Sequence, residues 1–337
     1  MSHLYEHIFG SLVGQASGDA FGMPTEFLTR EEIWNHYGWV DNFTEPYAGH
    51  FHVGMPAGRI TDDTGQTLAI LKEIISNDGL LTPMVVGTAL IKWKNEIGDE
   101  FDKVVGPSTR NAIRRLEAGE DPKNTGLDGR TNGAAMRSSV AGLLYPSDIH
   151  AAINAAHLLS APTHGTNIAI AGACAVAGAV SRAMDPNSSV ESIIDAAQLG
   201  AKLGSNLGHK VWGTSLEKRI ILALEIAEKT GDINSILEDL YNMVGVDLIV
   251  AESVAVAIAI VKLACGDPVK AAIYSANIGG DTDTIGAISG AICGAWKGIS
   301  VFPTSWLIHL EMVNHIGLPM LAKQTTLLVE KSNPYHF

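Results

Sequence analysis

Apolar residues recur at spacings of three and four along nearly the whole chain, as in "LAILKEIISN", "SLEKRIILALEIAEK" and "SILEDLYNMV". That spacing is the mark of helices that bury one face. Alternating apolar and polar runs, which half-buried strands need, are hard to find, so the pattern predicts an all-α protein. The punctuation agrees: Thr29 with Glu32 has the form of a capping box, Ser215 precedes "LEKRIILALEIAEK", and Asp267–Pro268 sets an N-cap acid before a proline at the first helical position. Stop signals follow at Gly79, Gly119, Gly231 and Gly298.

Three segments, 163 to 184, 250 to 264 and 283 to 297, are apolar around most of their circumference and rich in Ala and Gly. Helices of that kind are enclosed by others, and their small side chains let neighbouring backbones come close. No Pro/Ser linker, fixed-period repeat or low-complexity tract interrupts the chain. The expectation is one layered multi-helix domain over residues 1–337, a length within reach of a single large core.

Charge and cysteine usage narrow the class. A formal net charge of -13, without any Lys/Arg run, argues against nucleic acid or an anionic membrane as partner and suits a soluble enzyme. Cys174, Cys265 and Cys293 have neither metal-ligand nor disulfide spacing and read as reduced core thiols. The opening "MSHLYEHIFGSLVGQASGDAFG" lacks the parts of a signal peptide, and the most apolar run, 168 to 180, is shorter than the about 20 residues that cross a bilayer. A cytoplasmic location is expected.

The chemistry concentrates in two acidic stretches. "AGRITDDTGQTLAILKEIISND" brings Thr61, Asp62, Asp63 and Thr64 to the start of an amphipathic helix, and "IGGDTDTIGAISGAICGAW" brings Asp281, Asp283 and Thr284 to the start of a small-residue helix. Capping accounts for one carboxylate per helix, with a contribution of about 1 kcal/mol. Each stretch carries two. If the two starts converge, four carboxylates share a small volume, and each like-charged pair at 4 Å repels by about 4 kcal/mol at an effective dielectric near 20. A cation or protonation is then required, and an all-oxygen donor set suits Mg²⁺, Mn²⁺ or Ca²⁺, two ions fitting four carboxylates better than one. Glu26, in the turn of "GQASGDAFGMPTEF", is a candidate proton carrier, whereas its neighbour Asp19 reads as a cap.

In this order and spacing, "GSLVGQASGDAFGMPTE", "GRITDDTGQT", "GPSTRNAI", "TNGAAMR", "SAPTH" and "ANIGGDTDTIGAISGAICGA" resemble the ADP-ribosylglycohydrolase family over nearly the whole chain. That family includes the dinitrogenase-reductase-activating glycohydrolases and the ADP-ribosyl-acceptor hydrolases. The resemblance implies an all-α orthogonal fold, two Mg²⁺ with Mn²⁺ as a substitute, and cleavage of the glycosidic bond at the anomeric carbon of an ADP-ribosyl group. By the family pattern Thr61, Asp62, Asp63, Asp281, Asp283 and Thr284 would hold the metals. Glu26 would sit beside the metals, in proton transfer or in gating the site; it is assigned as acid/base, and a metal-bound water activated by Asp281 or Asp283 would serve as well. Asn132 and Gly133 would approach the ribose and diphosphate, and His164 would line that pocket.

Other residues read more plainly. Arg137 is expected to pair with a core carboxylate, and His50 and His52 in "AGHFHVG" lack a third ligand nearby and read as loop histidines. Glu252, the sole charge in "LIVAESVAVAIAIV", should accept hydrogen bonds from a neighbouring segment. The six tryptophans form no stacking ladder and read as core or pocket wall. Competing readings are an N-ribosidase acting on free nucleosides or nucleotides, an isoprenoid synthase, and a silent ADP-ribose reader. The isoprenoid synthase is disfavoured because positions 62, 63 and 66 are Asp, Asp and Gln rather than DDxxD, and the reader because no expected metal ligand is missing. Which linkage is cleaved and the oligomeric state are not readable from the sequence.

Overall fold

The computed structural model describes residues 2–332, and helices fill most of them. Among the described residues the only β-pairing is in three isolated bridges, Leu28 with Gly280, Thr131 with Ile249, and Thr166 with His209. The expected all-α architecture is therefore the observed one.

Its centre is an antiparallel pair, the helix His3–Gly22 against the helix Thr282–Lys297. The sequence builds this pair from glycines four residues apart. A β-carbon on Gly10 would lie 2.4 Å from the Gly294 oxygen, on Gly14 2.1 Å from that of Gly290, and on Gly18 1.9 Å from that of Gly286. None of these distances is available to a side chain, so the two backbones touch along a seam only glycine permits. Every residue from Ile8 to Gly22 is buried. The seam ends where a β-carbon on Gly22 would meet the Asp283 nitrogen at 2.3 Å, and there the Thr282 hydroxyl donates to the Gly22 carbonyl at 2.8 Å. Packing of small residues thus delivers the end of one helix to the acidic start of the other.

Other helices enclose this pair. Asn167–Ala183, Val250–Leu263 and Pro268–Ala276 carry the Ala-rich faces, and one hydrophobic cluster runs without interruption from Leu4 to Val329. The caps form as the sequence predicts. Thr29 and Glu32 make both bonds of a capping box, Ser215 accepts from the Lys218 amide, and Asp267 accepts from Val269 and Lys270 ahead of Pro268. The segment expected to be helical from 163 starts instead at Asn167. Residues 161–163 form a turn, with the Thr163 and His164 amides donating to the Ser160 carbonyl, and the Thr166 hydroxyl accepts from the Ala169 amide as the cap.

The cysteine expectation needs correction, and the tryptophan one holds. Cys174 and Cys293 are buried thiols whose pKa is pushed up to about 12 for Cys174 and further for Cys293, by burial first in each case. Cys265, however, is exposed. It follows the Val250–Leu263 helix in a left-handed conformation, φ 51°, beyond the reach of the core. Among the tryptophans, Trp93 and Trp306 lie in the core, while Trp34 and Trp212 stand exposed at the rims of open grooves. Glu252 does accept from the Asp247 amide, at 3.3 Å. No described helix is long and apolar enough to cross a membrane.

Candidate active site

The two acidic helix starts meet. Asp62–Ser76 is capped by Thr61, whose hydroxyl accepts from the Asp63 amide at 3.3 Å, so the carboxylates of Asp62 and Asp63 are released from capping their own helix. On the other side Asp281 occupies the N-cap position of Thr282–Lys297, yet its side chain makes no capping hydrogen bond. Its carboxylate accepts from the Asn132 amide instead, and its backbone N–H donates to Val246 at 2.8 Å. Gly279 and Gly280, at φ 85° and 69°, make the turn, and a β-carbon on Gly280 would lie 2.5 Å from the Val246 oxygen. Only glycine gives both that conformation and that approach.

Both starts open into one cavity of about 230 Å³, lined by Glu26, Asp62, Asp63, Asn132, Gly133, Asp281, Asp283 and Thr284 among others. One carboxylate oxygen each from Glu26, Asp281 and Asp283 lies within 4.8 Å of the others. Thr61 and His164 stand outside this wall. Thr61 is buried as the cap, with its hydroxyl 3.4 Å from Asp63 Oδ2. His164 is buried behind Gly133, where a β-carbon would lie 2.7 Å from the His164 ring. The His164 ring is bonded to the hydroxyls of Thr131 at 2.9 Å and Thr163 at 2.7 Å, so it shapes the Thr131–Gly133 turn from behind.

Glu26 is held from two directions. The Phe27 amide donates to Gly280 at 2.7 Å and the Gly280 amide returns a bond to Leu28 at 2.9 Å, tying the turn to the second acidic start. Phe27 takes a left-handed conformation, φ 58°, to make this tie, and non-glycine residues hold that conformation only where the surroundings demand it. On the opposite side His52 Nε2 lies 2.7 Å from Glu26 Oε2, and His50 Nε2 lies 2.8 Å from the Glu26 carbonyl.

Six carboxyl groups in so little water cannot all ionise freely. Burial first, then the charge of Asp283, raises the pKa of Asp19 to about 7 and pushes those of Glu26, Asp62, Asp63 and Asp281 well above the usual range. Asp283 is itself raised by burial. Lys103 lines the cavity from an exposed position, and Arg137, fully buried, donates to the Gln66 side-chain oxygen at 2.7 Å and to the Thr163 hydroxyl. Gln66 in turn donates to Asp62 at 2.7 Å. Arg137 therefore reaches a carboxylate through an intervening amide, rather than by the direct pairing expected, and it neutralises little of the cluster. Asp63 Oδ1, Asp283 Oδ1 and the Thr64 hydroxyl are buried without any hydrogen-bond partner. Buried orphan oxygens and an excess of negative charge are what a hard divalent cation with oxygen ligands would satisfy.

The family model for ADP-ribosylglycohydrolase matches residues 1–334. The chain belongs to the ADP-ribosylglycohydrolase family. A YegU protein of Escherichia coli K12 is 37% identical over 92% of this chain and 93% of its own length. The ADP-ribosyl-[dinitrogen reductase] glycohydrolase of Rhodospirillum rubrum is 25% identical over 92% of both chains. Human ADP-ribosylhydrolase ARH3 is 25% identical over 73% of each. A solved ADP-ribosylglycohydrolase-related protein complex shares the fold with a TM-score of 0.71 at 22% identity, covering 98% of this chain and 100% of that one.

Within this family fold, several residues in or behind the cavity wall escape a reading of local sequence. Asp19 does cap, but not its own helix: it sits inside His3–Gly22 and accepts from the amides of Thr61, at 2.9 Å, and Thr64, at 3.0 Å, at the start of the neighbouring one. Phe27 and Phe51, both half exposed, stack in the cavity lining with ring centroids 5.6 Å apart, and Gly106, Pro107 and Thr109 of "GPSTRNAI" line the same cavity. His50 and His52, read as loop histidines, are buried against Glu26. The glycines flanking "AGHFHVG" are their only local signal.

Proposed function

We propose that the protein hydrolyses the glycosidic bond at the anomeric carbon of an ADP-ribosyl group, with Mg²⁺ held in the acidic cavity. The observation that carries this reading is the meeting of two remote acidic helix starts around buried, unpartnered carboxylate oxygens. Asp62, Asp63, Asp281 and Asp283 with Thr61 and Thr284 would hold two divalent ions, Mn²⁺ serving in place of Mg²⁺. Bound Mg²⁺ would supply positive charge to fix the ribose hydroxyls and to acidify a water.

The chain's own groups account for the rest. Asn132 and Gly133 would border the ribose and diphosphate from the turn that His164 supports. Glu26 stands beside Asp281 and Asp283 and is able to give a proton to the leaving atom as the bond to the anomeric carbon breaks. It would then take a proton from the water that adds to that carbon. The clustered carboxylates favour the positive character that develops on the ribose. The name of the Rhodospirillum rubrum relative, a glycohydrolase of ADP-ribosyl-[dinitrogen reductase], favours a protein-linked ADP-ribosyl group as substrate.

Incubation with peptides ADP-ribosylated on arginine or serine, with Mg²⁺ or with EDTA, tests the reading. Mg²⁺-dependent release of ADP-ribose from at least one linkage is expected. Cleavage of free nucleosides alone would reassign the enzyme as an N-ribosidase, and no cleavage at all would refute hydrolysis.

A further inference from the structure

We propose that His52, locked by His50, is a positioning residue that fixes the Glu26 carboxylate over the acidic cavity. The tautomer of His50 is set by its partners. His50 Nδ1 accepts the His52 backbone N–H at 3.1 Å, which leaves the proton of a neutral ring on Nε2. That N–H donates to the Glu26 carbonyl, an acceptor only, at 2.8 Å. His50 therefore has one tautomer consistent with both partners. In that state it joins the backbone of His52 to the backbone of Glu26.

His52 follows at a fixed distance and places Nε2 2.7 Å from Glu26 Oε2. Both rings are buried, each 3% exposed, while the Glu26 side chain keeps 12% exposure. The pair thus grips the backbone and one carboxylate oxygen of Glu26 and leaves the other oxygen free for chemistry. Burial lowers the His52 pKa to about 4, so at neutral pH the ring orients the carboxylate without an ion pair. Phe51, between the two histidines, stacks on Phe27 and fixes the path of the loop across the turn. Opposing ties from the loop and from Gly280 explain how Glu26 keeps one pose on a short turn after Pro24. A carboxylate that must face a reacting bond loses rate when it swings away, even if binding is intact.

This inference rests on the hydrolase reading for its kinetic test, so a second readout is independent of activity. On an ADP-ribosylated peptide with Mg²⁺, His52→Leu should lower kcat by about 10- to 100-fold with KM changed less than about twofold. His52→Gln, whose amide N–H reaches the place of Nε2, should recover most of kcat, whereas the shorter His52→Asn should not. In a Glu26→Gln background His52→Leu should add no further loss. Wild-type kcat in His52→Leu, or no rescue by Gln relative to Asn, would overturn the proposal. Should the wild type hydrolyse nothing, the functional reading fails while crystal structures still decide the clamp. Glu26 should spread over several rotamers in the Leu and Asn variants and keep one in the Gln variant, and an unmoved Glu26 in Leu would refute it.

Discussion

Aspartates begin helices at the surface of this protein and at its centre, and the two groups behave differently. Asp232 is exposed, accepts from the Ser235 amide and hydroxyl at 3.1 and 2.7 Å, and has its pKa lowered by those bonds. Asp267 likewise accepts from Val269 and Lys270. These carboxylates are satisfied by the helices they start. Asp281 holds the same position at the head of Thr282–Lys297 but caps nothing, and its pKa is driven up by burial and by Asp283. Around Asp62 and Asp63 the capping is done by Thr61 and by Asp19 from another helix. Position on a helix therefore does not decide what an aspartate does; the partners left to it do. At the surface the carboxylates stabilise the fold, and at the centre they are held against electrostatic cost, ready for a ligand.

Substitution should separate the two groups. Asp281→Ala should reduce kcat/KM on the cleaved ADP-ribosylated peptide by about a thousandfold or more, a loss near 4 kcal/mol of transition-state stabilisation. The same change should raise the Tm of the EDTA-treated protein, since one of several repelling buried charges is gone; a fall in Tm would show that Asp281 is structural. Next in size, Gly290→Val forces a side chain into the Gly14 carbonyl and should destabilise the fold by about 3 kcal/mol, read by urea unfolding. An unchanged midpoint would mean the seam is not tight.

Protonation sharpens the comparison further. Asp19 binds its proton more tightly folded, near pH 7, than unfolded, near pH 4. Its contribution to stability is therefore present below about pH 4 and lost as pH rises through about 7. The raised pKa values of Glu26, Asp62, Asp63 and Asp281 act in the same sense. The Tm in EDTA should fall across that window, and Mg²⁺ should reduce the fall by taking the place of the protons on Asp62, Asp63 and Asp281. Curves with and without Mg²⁺ that run parallel across the window would contradict this. The smallest effect belongs to the surface: Asp267→Ala should cost about 1 kcal/mol in urea unfolding and leave kcat/KM untouched.

Much of this arrangement is legible in the sequence because it breaks a local rule. Two carboxylates at a helix start exceed what capping uses, so Asp62, Asp63, Asp281 and Asp283 stand out without any knowledge of their partners. The helices themselves follow from three- and four-residue spacing and from caps such as Thr29 and Ser215. Residues whose role depends on a distant partner are hidden. Asp19 reads as an ordinary cap because the amides it accepts are more than forty residues away, at Thr61 and Thr64. His50 and His52 gain their meaning from Glu26, 24 and 26 residues earlier, through a loop whose path has no periodic signal. Cys265 reads as core because it follows an apolar helix, but that helix ends at Leu263 and the chain turns outward.

The two inner helix starts are proposed to hold divalent cations jointly. Calorimetric titration of the EDTA-stripped protein with Mg²⁺, in buffers of different ionisation enthalpy, tests it most directly. The account predicts saturable binding of two ions per chain with release of protons, abolished or reduced to one ion in both Asp63→Ala and Asp283→Ala. No saturable binding, or binding that survives both substitutions unchanged, would contradict it.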